Sequence, residues 1–137
     1  MKKLDMKSIA TFAALCIALG KKEEDYNVEA ATTNANKAAI CKKRVQLITN
    51  GYNGDKKANM ADTSQYKYLA IVQFIPDPTA PAGFRLAFHD YGYDCSAAYL
   101  GARPYLLDSN DVEPAFEQWK AEYEQWMQYE ALSLMED

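Results

Sequence analysis

The sequence predicts a single α+β domain over residues 1–137, in which two N-terminal helices precede a three-stranded antiparallel meander and a long C-terminal amphipathic helix packs on the sheet. Three observations predict this fold class. Apolar residues recur every three to four positions in the first third of the chain and again after residue 111, which is typical of amphipathic helices. Two stretches rich in aromatic and β-branched residues flank a turn with three prolines, which is typical of a hairpin. A length of 137 residues is enough for one hydrophobic core.

The two N-terminal helices are predicted at residues 11–19 and 36–49. Gly20 ends the first helix, and the Asn-Gly pair at positions 50–51 is expected to end the second. Arg44 falls within the apolar face of the second helix. We therefore expect its guanidinium to extend past apolar neighbours or to pair with an acid from the C-terminal half, and loss of such a buried pair to cost a few kcal/mol.

The sheet is predicted from three stretches. "YKYLAIVQFI" at 66–75 is apolar on both faces through its middle and suits a central strand, while "FRLAFHD" at 84–90 alternates between apolar and polar residues. "AAYLGARPYLL" at 97–107 is predicted as a third strand, which Pro104 confines to an edge.

The C-terminal helix is predicted from about Val112 to Leu132, after the cap residues "DSND". Trp119 and Trp126 belong to an aromatic stripe on one side of this helix. We expect the stripe to cover the sheet, and truncation of either tryptophan to alanine to cost about 3–5 kcal/mol.

Charge is divided unevenly along the chain. Residues 1–60 hold eleven Lys or Arg and six Asp or Glu, whereas residues 61–137 hold four and thirteen. Such an asymmetry permits binding of a polyanion, head-to-tail association or neutralisation within the fold.

The segment "AFHDYGYDCS" holds the single histidine, His89, close to Asp90, Asp94 and Cys95. Nucleophilic catalysis needs a thiol, a base and a group that orients the base. Because neighbouring strand residues point to opposite faces, Asp90 is not expected to orient His89. The spacing of carboxylates, cysteines and glycines matches no calcium, zinc or phosphate site. We therefore predict no catalytic residue, no metal site, no cofactor and no evident small-molecule substrate.

Three cysteines, Cys16, Cys41 and Cys95, leave one unpaired in any disulfide arrangement, and this favours a reducing compartment. The expected location is the cytoplasm or a virion. The N-terminal lysines followed by an apolar run at 9–19 are the basis of an alternative, a secretory signal peptide. That run is too short to span a membrane.

A protein-interaction role is predicted from the tyrosines on or beside the proposed sheet, since aromatic residues are enriched in interface cores. The partner would be another protein or a second copy of the chain. The candidate residues are Tyr66, Tyr68, Tyr91, Tyr93, Tyr99 and Tyr105.

Nucleic-acid binding is the alternative function. It depends on a concentration of positive charge in the second helix and the following loop, with one tyrosine to stack on a base. The candidate residues are Lys37, Lys42, Lys43, Lys56, Lys57 and Tyr52.

Several segments carry a resemblance to a known group: "IATFAALCIALG", "NGYNGD" before "SQYKYLAIVQF", "GFRLAFHDYGYD", and "LGARPYLLDSN" before "FEQWKAEY". In these the chain resembles small uncharacterised proteins encoded by Bacteroidetes gut bacteria and their phages. The resemblance implies an α+β layout and a phage or mobile-element origin. The expected function is that of a non-enzymatic interaction or assembly protein, either a virion component or a modulator of the host.

Overall fold

The computed structural model describes residues 4–96 and 105–136. Their fold is α+β: two helices, a β-hairpin and two consecutive C-terminal helices follow one another along the chain, with short 3-10 turns between them. The helices and strands are α1 (Phe12–Ala18), α2 (Asn34–Asn53), β1 (Lys67–Pro76), β2 (Phe84–Asp94), α3 (Val112–Gln118) and α4 (Lys120–Leu134).

Helix α1 lies within the predicted range 11–19, and α2 begins at Asn34, two residues before its predicted start. The hydroxyl of Thr11 accepts a hydrogen bond from the Ala14 N–H, and Thr33 caps α2 through the Asn36 N–H in the same way. Gly20 follows α1 with a φ of +66°, a conformation that favours glycine.

The predicted end of α2 is wrong, because the helix continues through Asn50 and Gly51 to Asn53 and is followed by Gly54 at a φ of +64°. Gly51 is buried inside the helix, where an added Cβ would lie 2.7 Å from the Met6 sulfur. The absence of a side chain at Gly51 thus allows Met6 of the N-terminal segment to pack against α2. The Asn-Gly pair therefore does not end the helix.

The sheet differs from the predicted meander. Within the described ranges it has two antiparallel strands, β1 and β2, with a register shift between Ile71 and Val72. An isolated antiparallel bridge joins Leu106 to Tyr68 of β1, through two backbone hydrogen bonds of 2.8 and 2.9 Å. The segment that includes Leu106 therefore pairs with β1, whereas a meander would place it beside β2. Most of the predicted third strand, residues 97–104, lies outside the described residues.

The C-terminal helix is interrupted at Trp119, whose backbone leaves the helical region at φ −113° and ψ 26°. The first part, α3, packs on both strands of the hairpin, as expected. The second part, α4, packs chiefly on α2, so the prediction of one long helix across the sheet is wrong for its C-terminal half. Trp119 is buried in the core, whereas Trp126 is only partly covered.

The core lies between α1, α2 and α3. The apolar faces of these helices contribute to it, as do Leu106 and Met6, which lies in the 3-10 turn Met6–Ser8 before α1. The edge of β2 is covered by α4: the Gln128 amide accepts from the Ala82 N–H and donates to the Phe84 carbonyl, and Glu124 accepts from the Leu86 N–H. Two side chains one helical turn apart thus bind the backbone groups that a neighbouring strand would otherwise pair.

Candidate protein-interaction surface

Four of the tyrosines predicted as interaction residues lie together at the open end of the hairpin, and we call Tyr66, Tyr68, Tyr91 and Tyr93 the tyrosine cluster. Tyr68 pairs with Tyr93 across the two strands, and Tyr91 lies opposite Ala70. Ring centroids are 5.6 Å apart for Tyr66 and Tyr93, 5.7 Å for Tyr68 and Tyr91, and 6.2 Å for Tyr66 and Tyr68. These distances are typical of stabilising aromatic pairs.

The tyrosine cluster is open to solvent. Tyr66, Tyr91 and Tyr93 are 50%, 39% and 62% exposed. Tyr68 is partly buried and packs against the core, so it fixes the position of the other rings. The result is a surface of large, rigid side chains, each with an apolar ring and a polar hydroxyl.

Lys67 anchors the backbone beneath the tyrosine cluster, and nothing in the sequence indicated this role. The residue is only 3% exposed, and its ammonium donates to the carbonyls of Asp62 and Gln65 at 3.1 and 3.0 Å. A longer contact of 3.5 Å reaches the Cys95 carbonyl. Because the lysine joins the loop before β1 to the end of β2, it holds together the two chain segments that carry the tyrosines.

The remaining two tyrosines do not extend this surface. Tyr99 lies outside the described residues. Tyr105 is 7% exposed, and its hydroxyl is buried without a hydrogen-bond partner in the part of the chain that the structure describes. Its assignment as an exposed interaction residue is therefore corrected, because the ring packs into the body of the protein.

Arg44 pairs with an acid from the C-terminal half of the chain, as expected, and that acid is Glu122 of α4. The guanidinium donates two hydrogen bonds of 2.8 Å to the carboxylate and a third of 2.9 Å to the Tyr26 carbonyl, and it lies 3.8 Å from the Phe12 ring centroid. Burial lowers the pKa of Arg44, but the hydrogen bonds and charge of Glu122 outweigh this, and the net pKa is raised. The basic helix α2 thus lies against the acidic helix α4, which supports neutralisation of the charge asymmetry within the fold.

The lysines of α2 also lie close to aromatic rings of the protein itself. Lys37, Lys42 and Lys43 are 5.4–5.8 Å from the ring centroids of Tyr129, Trp126 and Tyr26 respectively. These contacts are cation–π interactions, which direct part of the positive face of α2 towards neighbouring elements.

Two further candidates for nucleic-acid binding, Lys56 and Lys57, are exposed in the loop after α2. The proposed stacking residue is not available: Tyr52 is 5% exposed, and its hydroxyl donates to the Gln118 amide oxygen at 3.0 Å. Its assignment as a base-stacking residue is corrected, because continuation of α2 past Gly51 carries the ring into the core.

The residues of the "AFHDYGYDCS" segment have separate partners. His89 lies 3.3 Å from the amide nitrogen of Gln73 through its Nδ1 atom. Asp90 accepts from the Tyr91 N–H, and Asp94 accepts from the Cys95 N–H. Each aspartate binds the backbone N–H of the residue that follows it, and Asp94 also accepts from the Ser96 N–H, as in an Asx turn. Over residues 4–96 and 105–136, no group of three His, Cys, Asp or Glu is placed to hold a metal ion.

No helix within the described ranges is both long enough and apolar enough to cross a lipid bilayer. Comparison with protein-family models, with curated proteins and with solved structures yields no match. The resemblance to Bacteroidetes and phage proteins therefore stays a prediction.

Proposed function

We propose that this protein is a non-enzymatic interaction protein that binds a protein partner through the tyrosine cluster. The observation that carries the proposal is the exposure of three tyrosines around the partly buried Tyr68 on one end of the hairpin. Tyrosine is enriched at the energetically dominant positions of protein interfaces, because it buries a large area at little cost in side-chain entropy.

The support for this surface is its combination of rigidity and exposure. The rings contact one another across two paired strands, and the Lys67 ammonium binds carbonyls of the loop before β1 and of the end of β2. A binding surface that is already ordered loses less conformational entropy on association than a flexible one. A virion component or a modulator of host machinery, both expected from the resemblance, would use such a surface in the same way.

The test compares recovery of the partner by two matched double variants in co-purification from the native cells. Tyr66→Ser/Tyr93→Ser changes two cluster residues that are 50% and 62% exposed, and Phe74→Ser/Ile75→Ser changes two residues at the other end of β1 that are 59% and 44% exposed. We expect the first variant to recover at least about tenfold less of the partner than the wild type, since loss of an interface hot spot costs about 2 kcal/mol of binding free energy. The second should retain it. Equal recovery by both variants would contradict the proposal.

A further inference from the structure

A cleft of about 520 Å³ lies between the carboxyl ends of α1 and α2 and the loop that follows α2. Its volume is within the usual range of small-molecule sites. The wall combines three lysines and three side-chain amides with an apolar part, and it draws on segments far apart in sequence. Its principal residues are Lys21, Lys56, Lys57, Asn50, Leu47 and Met60.

The charged side chains that line this cleft are all positive. Lys21, Lys56 and Lys57 line it, and no Asp or Glu is found among its described lining residues. In the same part of the chain, none of the three ammonium groups forms an ion pair with a carboxylate. Three cations around a concavity raise the local concentration of anions.

The rest of the wall suits an organic ligand better than a simple inorganic ion. Met60 is 52% exposed, although it is a large apolar side chain, and Leu47 forms a buried part of the same wall. Tyr105 also lines the cleft. A partly apolar wall with a few charged and polar groups is typical of a ligand site.

We propose that this cleft binds a small amphipathic organic anion, whose acidic group pairs with the lysines and whose apolar body lies against Leu47 and Met60. The site is separate from the tyrosine cluster and does not depend on the function proposed for it. The sequence indicated Lys56 and Lys57 only as candidates for nucleic-acid binding, and it did not indicate that Lys21, which follows α1, lines the same cleft.

A competing role for these lysines is stabilisation of the helices, since all three follow helix carboxyl ends, where positive charge is favourable. The two roles predict different results for ligand binding. Stabilisation of the helices requires no ligand, whereas the proposed site requires that an anion bind and that the lysines determine its affinity.

The probe is 8-anilinonaphthalene-1-sulfonate, an aromatic anion whose fluorescence rises on transfer from water to an apolar site. We expect saturable binding of one equivalent to the intact protein, weakened by salt. N-phenyl-1-naphthylamine, which has similar rings and no charge, should bind at least about tenfold more weakly, because it cannot pair with the lysines. Equal affinity for the two dyes would overturn the proposal.

The matched variants are Lys56→Gln/Lys57→Gln in the cleft and Lys42→Gln/Lys43→Gln on α2, which alter the net charge equally. We expect the first to weaken binding of the sulfonate about tenfold and the second to leave it within about twofold, with both proteins retaining a cooperative thermal transition. An equal effect of both variants would overturn the proposal in favour of a general charge effect. A last experiment tests which competitors displace the dye. If a single-stranded oligonucleotide displaces the dye at concentrations where dodecanoate and dodecyl phosphate do not, the proposal is overturned in favour of nucleic-acid binding.

Discussion

At the scale of single residues, Arg44 shows how one side chain connects the two halves of the chain. It lies on the apolar face of α2 and pairs with Glu122, and the two side chains are 16% and 17% exposed. Removal of one partner leaves the other charge poorly solvated. We expect Arg44→Ala to lower the free energy of unfolding by about 3–5 kcal/mol in chemical denaturation.

A double-mutant cycle separates this pair from ordinary packing. Arg44→Met/Glu122→Leu should cost less than the sum of the two single changes, because no unpaired charge remains. The exposed pair of Arg85 and Asp77, with side chains 48% and 27% exposed, is the control, and Arg85→Ala should have a much smaller effect. Additive losses at Arg44 and Glu122 would contradict a direct interaction.

Cys41 gives a prediction about pH. Burial of the thiol, together with the nearby charge of Glu122, raises its pKa from 9.0 to about 11, despite the opposing effect of Arg44. The folded state therefore retains this proton more strongly than the unfolded state. The contribution to stability is complete below pH 9 and is lost as the pH rises towards about 11.

The measurement is the free energy of unfolding of the wild type and Cys41→Ala between pH 8 and pH 10.5. We expect the stability of the wild type relative to Cys41→Ala to fall by about 2 kcal/mol over this interval, since only the wild type has the thiol to ionise. Parallel pH curves for the two proteins would show that the thiol titrates alike in both states.

At the scale of secondary-structure elements, α4 packs both on α2 and on the edge of β2. Gln128 is 5% exposed and binds two backbone groups at that edge, the Ala82 N–H and the Phe84 carbonyl. We expect Gln128→Ala to lower the free energy of unfolding by about 2–4 kcal/mol, because it leaves both groups without a partner. Gln125→Ala, in the same helix, should have little effect. Similar losses for both variants would indicate that only helix packing is disturbed.

Much of the helical structure could be predicted from local sequence patterns. The faces of α1 and α2 follow from apolar spacing, and the need for a partner at Arg44 follows from its place on an apolar face. The continuation of α2 past Gly51 could not be predicted, because it depends on contact with Met6. The bridge of Leu106 to Tyr68, which excludes a simple meander there, likewise depends on tertiary packing.

At the scale of the whole molecule, the tyrosine cluster could be predicted as a set of residues on the sheet, whereas its geometry could not. Alternation along the two strands places these rings on one face of the hairpin. Their position at its open end follows from the strand register, and the Lys67 ammonium joins the loop before β1 to the end of β2 there. The basic and acidic parts of the sequence meet in the folded protein where α2 packs on α4, and Arg44 pairs with Glu122 there. The exposed tyrosines therefore remain the strongest candidate for binding a partner.

The most direct test of that surface is photo-crosslinking in the native cells. Tyr93→p-benzoylphenylalanine and Tyr66→p-benzoylphenylalanine place the crosslinker in the tyrosine cluster, and Phe74→p-benzoylphenylalanine places it at the other end of β1, at a residue that is 59% exposed. The proposed function predicts that both cluster positions crosslink to the same protein and that position 74 does not. Crosslinking to that protein from position 74 alone, or from all three positions alike, would contradict binding through the tyrosine cluster.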